Sequence, residues 1–217
     1  MLAEAASFFL VSISAFFFVV DPIGLVPIFL ALTRRDSPEK RVKAARKAST
    51  IFFVVVSFFA LGGGVIFDLL GVSLAAFKVA GGLLLLLTAL DMLRSKQSDT
   101  RTSDEEIDAA TRKEDIAIVP LAMPMLAGPG SIATAVVLTS RAANWFQVTL
   151  VVVAIATTAL LTYLFLRSAQ VVERVLGKNG LPILERVMGF LLAAIALQFV
   201  LDGMGEALST ILHGESA

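Results

Sequence analysis

The stretch Asp21-Pro22-Ile23-Gly24-Leu25-Val26-Pro27 decides how this chain is read. It sits inside a hydrophobic run from Ala5 to Thr33, which is long enough to cross a bilayer. Near the middle of that run stand an acid, a glycine and two prolines. Each proline removes a backbone N–H and clashes with the carbonyl four residues back. Pro22 therefore releases the carbonyl of Phe18, and Pro27 that of Ile23. Asp21 precedes a proline and is steered away from helical geometry. Lipid cannot satisfy polar groups freed in this way. The run reads as a spanning helix broken at its middle for a functional reason.

The same device recurs at Pro124-Met125-Leu126-Ala127-Gly128-Pro129-Gly130-Ser131. Asp21–Thr33 (DPIGLVPIFLALT) aligns with Ala127–Thr139 (AGPGSIATAVVLT) at an offset of 106, so that Gly24, Leu32 and Thr33 fall on Gly130, Leu138 and Thr139. At that offset Leu70-Gly71 also falls on Leu176-Gly177. Shifted by one, Gly82, Leu84, Ala89 and Leu90 fall on Gly189, Leu191, Ala196 and Leu197. Matches in order at nearly one offset point to two homologous halves, 1–95 and 112–217. The connecting segment 96–111 is polar, carries both charge signs and reads as a solvated cytoplasmic linker.

Composition sets the class. The 217 residues are 57% hydrophobic and 17% charged, with a mean hydropathy of +0.87, which places the chain among membrane proteins. There is no cysteine, so disulfides and thiolate chemistry are excluded. The one histidine, His213, lies near the C-terminus, which leaves no basis for a histidine metal cluster or a Ser-His-Asp triad. No Gly-x-x-x-x-Gly-Lys-Ser/Thr run is present, so any work must draw on a gradient rather than on ATP. No metal, cofactor, enzymatic activity or nucleic-acid partner is expected.

Six spans of about 20 residues fit the chain. They cover about Ala5–Thr33, Ala48–Leu70, Leu74–Leu93, Ile116–Ser140, Phe146–Leu166 and Pro182–Leu201. The first nine residues carry no Lys or Arg, so the N-terminal run is expected to stay as a span and not to be a cleaved signal. Sixteen of the 18 basic residues fall in the loops after spans one, three and five; Lys78 and Arg141 alone fall on the other side. The excess of basic residues marks the cytoplasmic loops. Both termini are then outside, in a multi-pass inner (plasma) membrane protein. Three spans per half is an odd number, so the second half is expected upside down. The expected fold is all-α: six transmembrane helices in two inverted three-helix repeats, with helices one and four broken.

Several features have plainer readings. The basic loop after span one reads as a topology determinant, ahead of a phospholipid or nucleic-acid role. Gly62-Gly63-Gly64 reads as close helix packing, with a hinge as the alternative. Asp68, Lys78, Asp91, Arg94, Glu185 and Arg186 lie near span ends and read as interfacial. Asp91 matches Gln198 in the repeat, which leaves open a shared polar interior.

The two breaks would bring two helix N-termini to the bilayer centre from opposite sides. Each supplies free N–H groups and the positive end of a helix dipole, a ready anion site. Proline at the first turn suits both helix starts, Pro22 and Pro129. Asp21 can cap its own helix through the N–H of Ile23 or Gly24, or it can meet a substrate cation or carry a proton. Gly128, Pro129, Gly130 and Ser131 carry no acid, so their N–H groups and the Ser131 hydroxyl can hold a carboxylate. The facing acid and helix end suit a zwitterion, and Gly24, Ala127, Gly128 and Gly130 leave room only for a small one. The plainer reading of Gly128-Pro129-Gly130 is a helix break that lets neighbours pack.

DPIGLVPIFLALT, MPMLAGPGSIATAVVL, FKVAGGLLLLLTALDML and RVMGFLLAAIALQFVLDG together resemble the MarC family of integral membrane proteins, over nearly the whole chain. The resemblance implies grouping with the LysE-like transporter superfamily, with duplicated three-helix halves and relatives that move small neutral amino acids such as alanine and glycine. The substrate-binding set is then expected at Asp21, Pro22, Gly24, Gly128, Pro129, Gly130 and Ser131. The expected partners are a small amino acid, H+ and the lipid bilayer, with oligomerisation left open. The alternative is a passive channel or a transporter of inorganic ions or other small solutes. Topology is testable directly. A cysteine at Ser98, in this cysteine-free chain, should resist an impermeant thiol reagent in intact cells; ready labelling would overturn the orientation.

Overall fold

The computed structural model describes residues 2–34, 36–94, 121 and 126–213. The expected linker, with Ser98, and the first part of the fourth span up to 120 lie outside the described residues. Among the described residues every regular element is a helix: α1 (Leu2–Val20), α2 (Leu25–Leu32), α3 (Pro38–Leu70), α4 (Leu74–Arg94), α5 (Pro129–Ser140), α6 (Trp145–Arg167) and α7 (Ala169–His213).

Four helices are long and apolar enough to cross a membrane alone: α3 over Pro38–Ile66, α4, α6, and α7 over Ile183–Leu212. α1 and α2 make a fifth span as a pair, bent by 46° at their break. α5 has 12 residues, about 18 Å of helix, which covers little more than half of a hydrocarbon core about 30 Å thick. The described residues thus carry up to five spans where six were expected.

Two expected loops are largely helix. α3 begins at Pro38, so Lys40, Arg41, Lys43, Arg46 and Lys47 stand on its first turns and not in a coil. Arg41 reaches back from there: its Nε donates to the Thr33 carbonyl at 3.0 Å, beside the Asp36 N–H that the same carbonyl accepts at 3.0 Å just past the end of α2. α7 likewise starts at Ala169 and bends at Gly177, where the backbone leaves helical geometry at φ 65° and ψ −179°. The aligned Gly71 between α3 and α4 has the same φ of 65°. A positive φ is costly for residues with a Cβ and free for glycine. The start of α6 is fixed by reciprocal capping. Asn144 Oδ1 accepts from the Gln147 N–H at 3.0 Å, while Gln147 Oε1 accepts from the Ala143 N–H at 2.7 Å.

The most extensive helix contact is α4 with α7, followed by α3 with α6. α1 also packs on α6, and α3 on α5. The α4–α7 seam is closed by glycines. A Cβ on Gly82 would lie 2.7 Å from the Ala196 carbonyl oxygen, and one on Gly189 would lie 3.1 Å from the Ala89 carbonyl oxygen. These two contacts are one contact drawn twice, since Gly82 aligns with Gly189 and Ala89 with Ala196. Lipid gives helices no hydrophobic drive to associate, so such small-residue contacts supply the attraction through close packing. Gly62 and Gly64 do not behave this way. A Cβ on Gly64 would meet nothing within 4 Å, and one on Gly62 only Ile66 of its own helix. The expected packing role fails at these two positions, although Gly63 is buried.

Lys78 is not solvated at the end of its helix: its side chain is 3% exposed and pairs with Glu206 of α7. Arg141, after α5, pairs with Asp202 of α7. The two basic residues that stand apart in the charge pattern thus reach the same end of the last helix. Gln198 is exposed and donates to Asp202 Oδ1 at 2.7 Å, so it does not share a polar interior with Asp91.

The seam can be probed by adding single methyl groups. Gly82→Ala and Gly189→Ala should each lower stability in detergent by about 1–3 kcal/mol through overpacking. Gly64→Ala, which points into open space, should leave stability unchanged or raise it through helix propensity. Thermal unfolding checks both; an equal response at all three positions would contradict the packing described.

Candidate functional site

The break between α1 and α2 is built around one residue. The Asp21 N–H still donates to the Phe17 carbonyl at 2.9 Å, so α1 runs up to it. Its φ is then +47°, the only positive value at a non-glycine position among the described residues. A helix commonly ends on a left-handed residue, and aspartate is among the few types besides glycine that visit that region. Pro22 follows and cannot continue α1. The carboxylate then turns to the next helix: Asp21 Oδ1 accepts from the Gly24 N–H at 3.1 Å. Asp21 thus ends one helix and caps the approach to the other.

α2 starts at Leu25, with Gly24 as its N-cap, and not at Pro22 as expected. The reason is the left-handed turn at Asp21, which uses residues 22–24 to change direction. The proline in the first turn of α2 is Pro27, where a missing N–H removes no helical bond. The Ile23 carbonyl that Pro27 was expected to release accepts from the Val26 N–H at 3.0 Å. Gly24 is required here by contact: a Cβ would lie 2.0 Å from Asp21 Oδ2.

The second break follows the expected pattern more closely. Gly128 is the N-cap of α5 in an extended conformation, φ −74° and ψ 174°, with Pro129 as the first helical residue. The Gly128 carbonyl accepts from the Ile132 N–H at 3.1 Å, the first bond of the helix. The Ser131 hydroxyl, expected to face an anion, instead donates to the Leu126 carbonyl at 2.7 Å. It satisfies a carbonyl on the incoming side of the break. That leaves the backbone N–H groups of the first turn as the donors of this helix end.

The two breaks are neighbours. A Cβ on Gly130 would meet Leu85 Cδ2 at 2.5 Å and Val19 Cγ1 at 3.4 Å, which sets the start of α5 between the end of α1 and the middle of α4. Val20, Leu25, Val26, Leu126 and Ala127 share one buried cluster. Asp21, Pro22, Gly24, Gly128 and Ser131 are all buried, Gly130 is half-buried and Pro129 is exposed. Thr134, which the sequence reading passed over, is fully buried one turn beyond Gly130 and donates to the Gly130 carbonyl at 2.9 Å. Its signal was its place one turn along the same helical face. A cavity of about 360 Å³ lies elsewhere, where Gly64 of α3, Val136 and Ser140 of α5 and Trp145 of α6 meet. It is not lined by residues of either break.

With this geometry in hand, comparison with known proteins is direct. Residues 6–208 match the model of the family described as MarC family integral membrane protein. The chain belongs to the MarC family. A UPF0056 membrane protein of Methanocaldococcus jannaschii is 40% identical to this MarC chain over 201 residues, covering 93% of this chain and 98% of the relative. A UPF0056 membrane protein of Archaeoglobus fulgidus is 38% identical over 214 residues, covering 95% and 97%. One of Aquifex aeolicus is 36% identical over 190 residues, covering 88% and 89%. No solved structure matches. The protein is an integral membrane protein of this family, and the match spans both breaks.

The Asp21 turn predicts a graded response. Asp21→Ala removes the acceptor for the Gly24 N–H and should cost about 1 kcal/mol, as for a lost cap. Asp21→Asn keeps an acceptor and should cost less. Gly24→Ala should be the most damaging, since its methyl group collides with the carboxylate. Thermal unfolding of the purified variants gives the order; Gly24→Ala at wild-type stability would contradict the turn.

Proposed function

We propose that this protein is a secondary transporter of small neutral amino acids, driven by the proton gradient and working by alternating access around the two breaks. The observation that carries this reading is the packing of the α5 start against the end of α1, at Gly130 and Val19. It brings a buried carboxylate and the positive end of a helix near each other, deep in an apolar bundle. A substrate carboxylate on the first-turn N–H groups of α5 and an ammonium group toward Asp21 would use both. In the proposed cycle Asp21 also carries the proton.

Two inverted halves are part of the proposal. The matched glycines Gly71 and Gly177 share a φ of 65°. The α4–α7 seam repeats the Gly82–Ala196 contact as Gly189–Ala89. These support a pseudo-two-fold axis, about which one half could rock against the other. Both termini outside and a plasma-membrane location complete the reading, on the basic-residue pattern.

The test is uptake of labelled alanine and glycine into proteoliposomes, with and without a pH gradient. Gradient-dependent uptake is expected; a steady conductance without concentrative uptake would favour a channel. Asp21→Asn should abolish coupled transport while the protein still folds. Alanine amide keeps the ammonium and methyl groups but loses the carboxylate. It should compete about ten- to hundredfold more weakly than alanine, the worth of one charge-assisted hydrogen bond. Equal competition would remove the carboxylate from the α5 end. This ligand-side test is cleaner than Gly130→Ala, whose methyl group would also displace Leu85.

A further inference from the structure

A second cavity, of about 290 Å³, opens between α3 and α6 where α3 carries its basic residues. Arg46, Ser49 and Phe53 of α3 face Ala159, Leu160 and Tyr163 of α6 across it. None of these belongs to the breaks. Ser49 is 5% exposed, and its Oγ has no hydrogen-bond partner. Ser12, Thr33, Thr134, Thr158 and Thr162 avoid this by donating to the carbonyl four residues back; Ser57 of α3 is also without a partner but does not line the cavity. A buried hydroxyl without a partner is destabilising, and a ligand in the cavity would supply one.

The surroundings define the ligand. Arg46 is exposed and makes no ion pair among the described residues. Lys43 and Lys47 are exposed on the same stretch of α3. Tyr163, the only tyrosine in the chain, is half-buried one turn before Arg167, at the end of the span. Tyrosine and arginine favour this depth, where an apolar body meets polar headgroups. The rest of the wall, Phe53, Ala159 and Leu160, is apolar. A guanidinium and a hydroxyl above an apolar groove match a phosphate carrying a hydrocarbon chain. Basic pockets between membrane helices bind anionic headgroups on the same grounds.

We propose that this cavity binds an anionic phospholipid, with its phosphate on Arg46 and the Ser49 hydroxyl and an acyl chain along Phe53 and Leu160. Free phosphate shares the headgroup chemistry but has no use for the apolar wall. The site is independent of the transport reading and stands or falls without it.

The test uses the full chain, purified and delipidated, with native mass spectrometry and thermal unfolding. Dioleoylphosphatidylglycerol should be retained about tenfold over dioleoylphosphatidylcholine. Arg46→Gln and Ser49→Ala should each reduce that retention about tenfold, the worth of one hydrogen bond to a charged group. Without lipid, Ser49→Ala should melt at or above the wild-type temperature, because it deletes an unsatisfied hydroxyl. Equal retention of the two lipids, or phosphatidylglycerol retention unchanged in both variants, would overturn the proposal. So would a lower lipid-free melting temperature for Ser49→Ala, which would give the hydroxyl a structural bond instead. Displacement of phosphatidylglycerol by millimolar inorganic phosphate would assign the cavity to the free anion and not to a lipid.

Discussion

Everything near the centre of this bundle depends on a single demand: a chain that interrupts a helix inside lipid must satisfy its own backbone. Asp21 meets that demand in both directions. Its N–H completes α1 on the Phe17 carbonyl, and its carboxylate receives the Gly24 N–H before α2 begins. Aspartate combines two properties the site needs, tolerance of a left-handed backbone and a short acceptor. Glycine would give the turn without the acceptor, and glutamate would place the acceptor on a longer arm. The second break solves the same problem with other groups: an extended Gly128, a proline that lacks the donor the helix does not need, and a serine hydroxyl turned onto the Leu126 carbonyl.

That economy shapes what is left for chemistry. At α5 the side-chain donor is committed to the fold, so the backbone amides are what a bound anion would meet. At α2 the acid is committed to the turn by one oxygen. Structural and functional uses of Asp21 therefore share a residue, and a change in one alters the other. The α4–α7 seam adjoins this region at Leu85 and holds the bundle by close backbone approach at Gly82 and Gly189.

Much of this was legible in the sequence, for physical reasons. Proline and glycine inside a run of apolar residues are unambiguous, so the breaks at Asp21-Pro22 and Gly128-Pro129 were readable, as was the Asp21–Gly24 cap. α4 and α6 fell within a residue of the expected bounds, because charged residues or caps mark their ends. The start of α2 was misplaced by three residues, since the left-handed turn depends on a φ that composition does not encode. Gly62 and Gly64 misled because small residues look alike whether they face a helix or open space. Ser49 gave no signal: a serine among apolar residues is common, and what sets it apart is a missing hydrogen bond at the wall of a cavity. Ser131 was placed at the break, but nothing in the sequence signalled that its hydroxyl bonds the Leu126 carbonyl.

The buried Lys78 has a consequence for how the protein is made. Its carboxylate partner, Glu206, is 128 positions further along the chain. A protein inserted from its N-terminus must hold α4 in the bilayer long before α7 exists. In that interval the ammonium group can only stretch toward water at the membrane face. The helix can take its final depth only once the last span is threaded beside it. A product truncated before that span would keep a stranded cation at the edge of the lipid. Membrane quality control could read that charge as the mark of an unfinished chain.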